Sequence, residues 1–161
     1  MGTSTFSGPV VSNAGFISGP DSIVSATTAT LTATATSHAG RTVLLDRAAG
    51  QAVTLPAATG TGNSYKFFVK TTITSNSTTI KVADATDVMA GVAIVANDTD
   101  ASASIFETAS TTDTITFDGT TTGGILGATV ELQDVATNLW SVRVIGAATG
   151  SEATPFSATV S

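Results

Sequence analysis

The sequence contains no cysteine, so disulfide bridges and thiolate metal sites are excluded outright. Charge is scarce as well. Asp, Glu, Lys and Arg make up 11% of the residues, less than half of the roughly 25% usual in globular proteins. Six basic residues against twelve acidic ones give a formal net charge of −6. The basic residues are scattered from Arg41 to Arg143. Nucleic-acid binding needs clustered Lys and Arg to displace counterions from phosphates, so composition excludes that role. It disfavours an anionic membrane surface on the same ground. No apolar run approaches the ~20 residues of a membrane-spanning helix. Met1 to Phe6 has neither the basic nor the apolar segment of a signal peptide, and synthesis in a cytoplasm is expected.

What remains is small and polar. The chain has 161 residues and is 42% hydrophobic, enough for one domain with a real core. Thr, Ala, Ser and Gly fill the space that charged residues leave. Their short side chains lose little rotamer freedom when held at a contact. Such a surface suits flat contacts between copies or onto a lattice.

Three zones are expected. Residues 1–22 carry Gly2, Gly8, Pro9, Gly15, Gly19 and Pro20, which oppose regular structure. They also carry Phe6, Val10, Val11, Phe16 and Ile17, for which a free tail has little use. The zone reads as an extended arm that adds main-chain hydrogen bonds to another sheet edge, with a disordered terminus as the alternative. Thr5, Phe6, Ser7, Gly8, Pro9, Val10 and Val11 are its candidate contacts. Pro9 would have to sit where no donor is needed.

Residues 23–147 are expected to form a β domain, with period-two alternation, the strand signature, in successive short segments. Thr28 to Thr36 alternates Thr with Ala and Leu. Further strands are expected at 41–45, 52–55, 65–69, 79–82, 91–95, 112–117, 129–133 and 140–145. Asp134 to Asn138 reads as a hairpin connection, and Asp118-Gly119 as a turn. Only Asp84 to Ala90 could form a turn or two of helix. No fixed repeat runs through the chain, so a solenoid is not expected. Residues 148–161 read as a small-residue tail. The fold class is all-β: a single sandwich or barrel of about eight strands, jelly-roll-like or β-tulip-like.

Residue types for catalysis are present without a pattern. His38 is the only histidine, and no Gly-x-Ser-x-Gly elbow accompanies it, so it reads as a structural turn residue. Asp84 with Asp87, and Asp98 with Asp100, could supply a carboxylate pair for glycoside hydrolysis. Both pairs sit in Asn/Asp/Thr/Ala stretches, where Asp commonly bonds its own turn backbone. Glu107, Glu131 and Glu152 stand alone. Asn97 to Asp100 lacks the spacing and terminal Glu of a calcium loop. Gly119 to Gly127 is glycine-rich, but no Lys follows as a phosphate partner. Trp140 is in phase with Val142 and Val144 and reads as core rather than a sugar platform. The threonine run is too short for an ice-binding array. No catalytic, cofactor or metal residue is assigned.

Two segments carry a resemblance. The first is Arg41-Thr42-Val43-Leu44-Leu45-Asp46, Ala52 to Gly60 and Tyr65-Lys66-Phe67-Phe68-Val69. The second is the pair of ends, Thr3 to Val10 and Ala153-Thr154-Pro155-Phe156-Ser157-Ala158. Both resemble small head decoration (cement) proteins of tailed bacteriophages. The resemblance implies a non-enzymatic virion protein on the outer surface of the capsid. It implies binding to the major capsid protein as a homotrimer, with the N-terminal arm clamping capsid subunits. The rival expectations are a phage tail or fibre module, a host-glycan-binding virion module, a hydrolase with an unrecognised carboxylate pair, and a bacterial surface or secreted protein.

Overall fold

The computed structural model describes residues 22–160. Among them the strands are β1 (Ile23–Ala26), β2 (Thr30–Thr32), β3 (Thr42–Leu45), β4 (Ala52–Thr54), β5 (Ser64–Val69) and β6 (Thr78–Lys81). There follow β7 (Val88–Ala96), β8 (Ala103–Glu107), β9 (Thr114–Phe117), β10 (Thr129–Ala136), β11 (Leu139–Ala147) and β12 (Phe156–Ser157). One short helix, α1 (Ala35–His38), lies between β2 and β3. The strands form two mixed sheets packed as a β-sandwich. The larger has the order β1-β3-β5-β10-β11-β7-β8 and the smaller β12-β9-β6-β4-β2.

The first half of the chain winds. Successive strands from β1 to β6 alternate between the sheets, and each lands parallel beside the strand two before it. In the larger sheet Ile23 lies beside Thr42 and Thr42 beside Lys66, advances of 19 and 24 residues. In the smaller sheet Thr30 lies beside Ala52 and Ala52 beside Thr79, advances of 22 and 27. The path is solenoid-like, yet the unequal turns leave no repeat in the sequence. It ends where β10 pairs antiparallel with β5 and β9 pairs antiparallel with β6.

Period-two alternation fills the space between the sheets. The larger sheet contributes an inward row of Val43, Phe67, Val130, Val144 and Ala93, in register across five strands. The smaller contributes Val53, Ile80 and Ile115, flanked by Leu31 and Phe156. Val43, Phe67, Val53, Ile80 and Ile115 are wholly buried. Burial of each large side chain stabilises the fold by about 1.5–3 kcal/mol. Trp140, expected in the core, is fully buried and meets Tyr65 edge-on with ring centroids 5.6 Å apart.

The structure departs from the sequence reading in four places. The threonine run does not make one strand. After Ala26 the chain crosses to the other sheet, and the Gln51 amide holds that crossing by donating to the carbonyls of Ala26 (2.9 Å) and Thr28 (2.8 Å). The run then ends at α1, where Ser37 N–H donates to the Thr34 hydroxyl oxygen at 3.3 Å, an N-cap. Asp84 to Ala90 is not helical. The Asp84 carboxylate bonds the Thr86 amide and hydroxyl at 2.9 and 2.6 Å, and β7 begins at Val88. Strand β8 was not expected, and the described strands outnumber the eight foreseen. Finally, the residues read as a tail are tied in. Phe156 pairs with Ile115, and the buried Asp113 carboxylate accepts from the Thr159 and Val160 amides at 2.8 and 3.1 Å.

Candidate interaction face

The inward row of the larger sheet has outward neighbours on either side. One is Ser25, Leu44, Phe68, Thr129, Ile145, Ile94 and Ile105, in register across all seven strands. At roughly 4.8 Å per strand this row is about 29 Å long. Five of its seven residues are apolar although the row points away from the core. Ile94, Ile145 and Ile105 are 38%, 48% and 65% exposed. Leu44 and Phe68 are half-buried. An exposed apolar residue by itself needs no explanation, but five in one outward row, interrupted by Thr129, make this face a candidate interaction surface.

The adjacent outward row runs Ile23, Thr42, Lys66, Glu131, Arg143, Val92 and Glu107. Lys66 and Arg143 flank Glu131 on directly opposed positions, where cross-strand side chains meet. Lys66 Nζ lies 3.1 Å from Glu131 Oε1, and the Arg143 guanidinium lies 3.9 Å from Oε2. All three side chains are about half exposed, so the pairs add under ~1 kcal/mol each to stability. A shallow groove of about 530 Å³ opens over this row and is lined also by Arg41, Ser64, Gln133 and Ser141. Three of the chain's six basic residues border it with one carboxylate. The rest of the chain carries three basic and eleven acidic residues.

The candidate catalytic residues are spread through the fold. His38 is buried at the end of α1, and its Nδ1 accepts the Thr34 amide at 3.0 Å, so the ring serves a local turn. Asp98 and Asp100 lie on the connection from β7 to β8. Asp98 accepts the Gly150 amide at 3.3 Å, and Asp100 accepts the Ser102 hydroxyl. Asp84 is exposed, whereas Asp87 is buried and accepts the Ala58 amide at 3.0 Å. Burial, with Asp84 and Asp134 nearby, holds the Asp87 carboxyl above the usual range. Among the described residues no group of three or more His, Asp or Glu is placed to hold a metal ion. Thr5, Phe6, Ser7, Gly8, Pro9, Val10 and Val11 lie outside the described residues.

The sequence reading missed this face, although a signal was there. Lys66 and Arg143 occupy the polar phase of their strands, but Phe68, Ile94 and Ile145 are apolar residues in that same phase. Buried and outward positions both being apolar is the mark of a strand with two covered faces.

No protein-family model, no curated protein and no solved structure matches the chain.

Proposed function

We propose that this protein is a non-enzymatic virion component, a decoration protein that stabilises a tailed-phage head from outside by binding the major capsid protein. The carrying observation is the open face of the seven-stranded sheet, with its apolar row from Leu44 to Ile105. A sandwich that leaves such a row in water has a surface to cover. Mild charge and short polar side chains elsewhere suit repeated contacts on a lattice, where many small contacts add up through symmetry. In this reading the arm, with Thr5 to Val11 as contacts, adds a second attachment, and three copies associate at each site.

A host-glycan-binding virion module is the second reading. The groove beside the apolar row favours it, because Ser64, Gln133 and Ser141 offer hydrogen bonds to hydroxyls.

The test is the copy number of the protein in purified virions of the phage that encodes it, measured against the major capsid protein by quantitative mass spectrometry. Near-stoichiometric amounts are expected. A handful of copies per particle would overturn decoration in favour of a tail, fibre or receptor-binding part.

A further inference from the structure

We infer that the outward face of the seven-stranded sheet docks an acidic, partly apolar patch of a partner protein. Carboxylates of the partner would face Arg41, Lys66 and Arg143, and aliphatic side chains would face Ile94, Ile105 and Ile145. The inference rests on the adhesion reading above and names the chemistry of what is bound.

The argument is the local reversal of charge. The chain is acidic, yet this groove gathers half of its basic residues around the single carboxylate of Glu131. Glu131 is shared between Lys66 and Arg143, and at 3.9 Å from Arg143 it leaves that guanidinium without a closer acceptor among the described residues. An incoming carboxylate can take the guanidinium by two parallel hydrogen bonds. The apolar row runs directly alongside on the same face, two residues away on each strand.

That pairing of features selects among occupants. A second copy applied by the same face would set Lys66 and Arg143 against their own counterparts, and like charges opposed across an interface are unfavourable. The exposed members of the row, Ile94, Ile105 and Ile145, are aliphatic, Phe68 is half-buried, and Tyr65 and Trp140 lie in the core, so a sugar ring would find little of the open aromatic face it prefers. A protein patch with carboxylates beside aliphatic residues matches both rows at once.

The experiment uses full-length protein and genome-free capsid shells of the encoding phage prepared without it. Co-sedimentation is measured for wild type, for Lys66→Glu/Arg143→Glu and for Ile105→Ser/Ile145→Ser. Lys66→Gln/Arg143→Gln serves as a milder charge variant should the reversal fail to fold by circular dichroism. Wild type is expected to bind, less so as salt rises. The charge variants should bind at least about tenfold more weakly with a flatter salt dependence. The isoleucine variant should weaken binding at all salt concentrations.

Wild type that does not bind shells overturns both the decoration reading and this inference. Wild type that binds, with variants that bind equally well, overturns the inference alone. Loss of self-association in analytical ultracentrifugation, with shell binding intact, would assign the face to a second copy. Binding of polygalacturonate that the charge variants lose, again with shell binding intact, would assign it to an acidic glycan.

Discussion

Thr61 donates both its amide, at 2.9 Å, and its hydroxyl, at 2.7 Å, to one oxygen of Asp134, 73 positions later in the chain. The other carboxylate oxygen takes the Gly60 amide at 2.7 Å. Burial alone would raise the Asp134 pKa, but these donors hold it below the usual range. One side chain on β10 thus fixes the β4–β5 connection. Asp134→Ala should cost about 1.5–3 kcal/mol, because the donors of the exposed Gly60–Thr61 turn lose a charged acceptor. Urea denaturation at neutral pH checks this, and a cost under ~1 kcal/mol would show that the connection holds by other contacts.

Two aspartates give stability opposite dependences on pH. Burial opposes ionisation of Asp118, but the amides of Thr120 and Thr122 and the Thr121 hydroxyl lower its pKa to about 2. Its contribution is present above the ordinary value of 3.8 and is lost as pH falls toward 2. Asp87 is raised, so its contribution is present below 3.8 and is lost as pH rises through its folded value. Asp118→Asn should therefore lower the urea midpoint at pH 7 and much less at pH 2. Asp87→Asn keeps an acceptor for the Ala58 amide and removes a buried charge. It should raise the midpoint at pH 7 and converge on wild type in acid.

Gly91 lies on β7 beside Val142 of β11. A Cβ built there would stand 1.8 Å from the Val142 carbonyl oxygen. Both backbones are held on their other sides, β11 by β10 and β7 by β8. Gly91→Ala should cost at least about 3 kcal/mol by forced displacement of packed strands, read as a drop in melting temperature or loss of soluble protein. Gly62→Ala is the comparison: φ there is also positive but a Cβ meets nothing within 4 Å, so only the roughly 1–2 kcal/mol of a left-handed backbone is lost.

The Tyr65–Trp140 pair separates ring packing from polar bonding. Neither Tyr65 Oη nor Trp140 Nε1 has a hydrogen-bond partner among the described residues. Tyr65→Phe should change stability by less than about 1 kcal/mol. Trp140→Ala should cost about 3–5 kcal/mol through the cavity it leaves, and Trp140→Phe markedly less. Thermal unfolding followed by circular dichroism distinguishes the three.

Much of the architecture was legible because alternation along a strand reports its two faces directly. Tyr65, Phe67 and Val69 alternate with Ser64 and Lys66, and the structure buries the first set. Strand partners were not legible. Nothing in Ile23, Thr42 and Lys66 says that they stand in line, because the turns between them differ in length. The threonine run misled for a related reason: its alternation is unbroken, but Gln51, on a later turn, sets where the chain crosses. Strand β8 escaped notice because Ser104, Ile105 and Phe106 follow a polar turn and only half alternate. The candidate face was visible only as apolar residues in the wrong phase, and their assembly into one row required the register of seven strands.

The winding of β1 to β6 also has a temporal side. During synthesis β5 and β6 precede the strands that close them, so any sheet formed by then ends at these two edges with main-chain groups free. The strands that close them, β10 and β9, begin at Thr129 and Thr114. At about 5–20 residues per second, the β5 edge waits roughly 3–12 seconds for its partner. Nascent chains on one crowded messenger could pair through those edges. Lys66 on β5 and Lys81 on β6 place a charge on each edge strand during that interval, where it discourages such pairing.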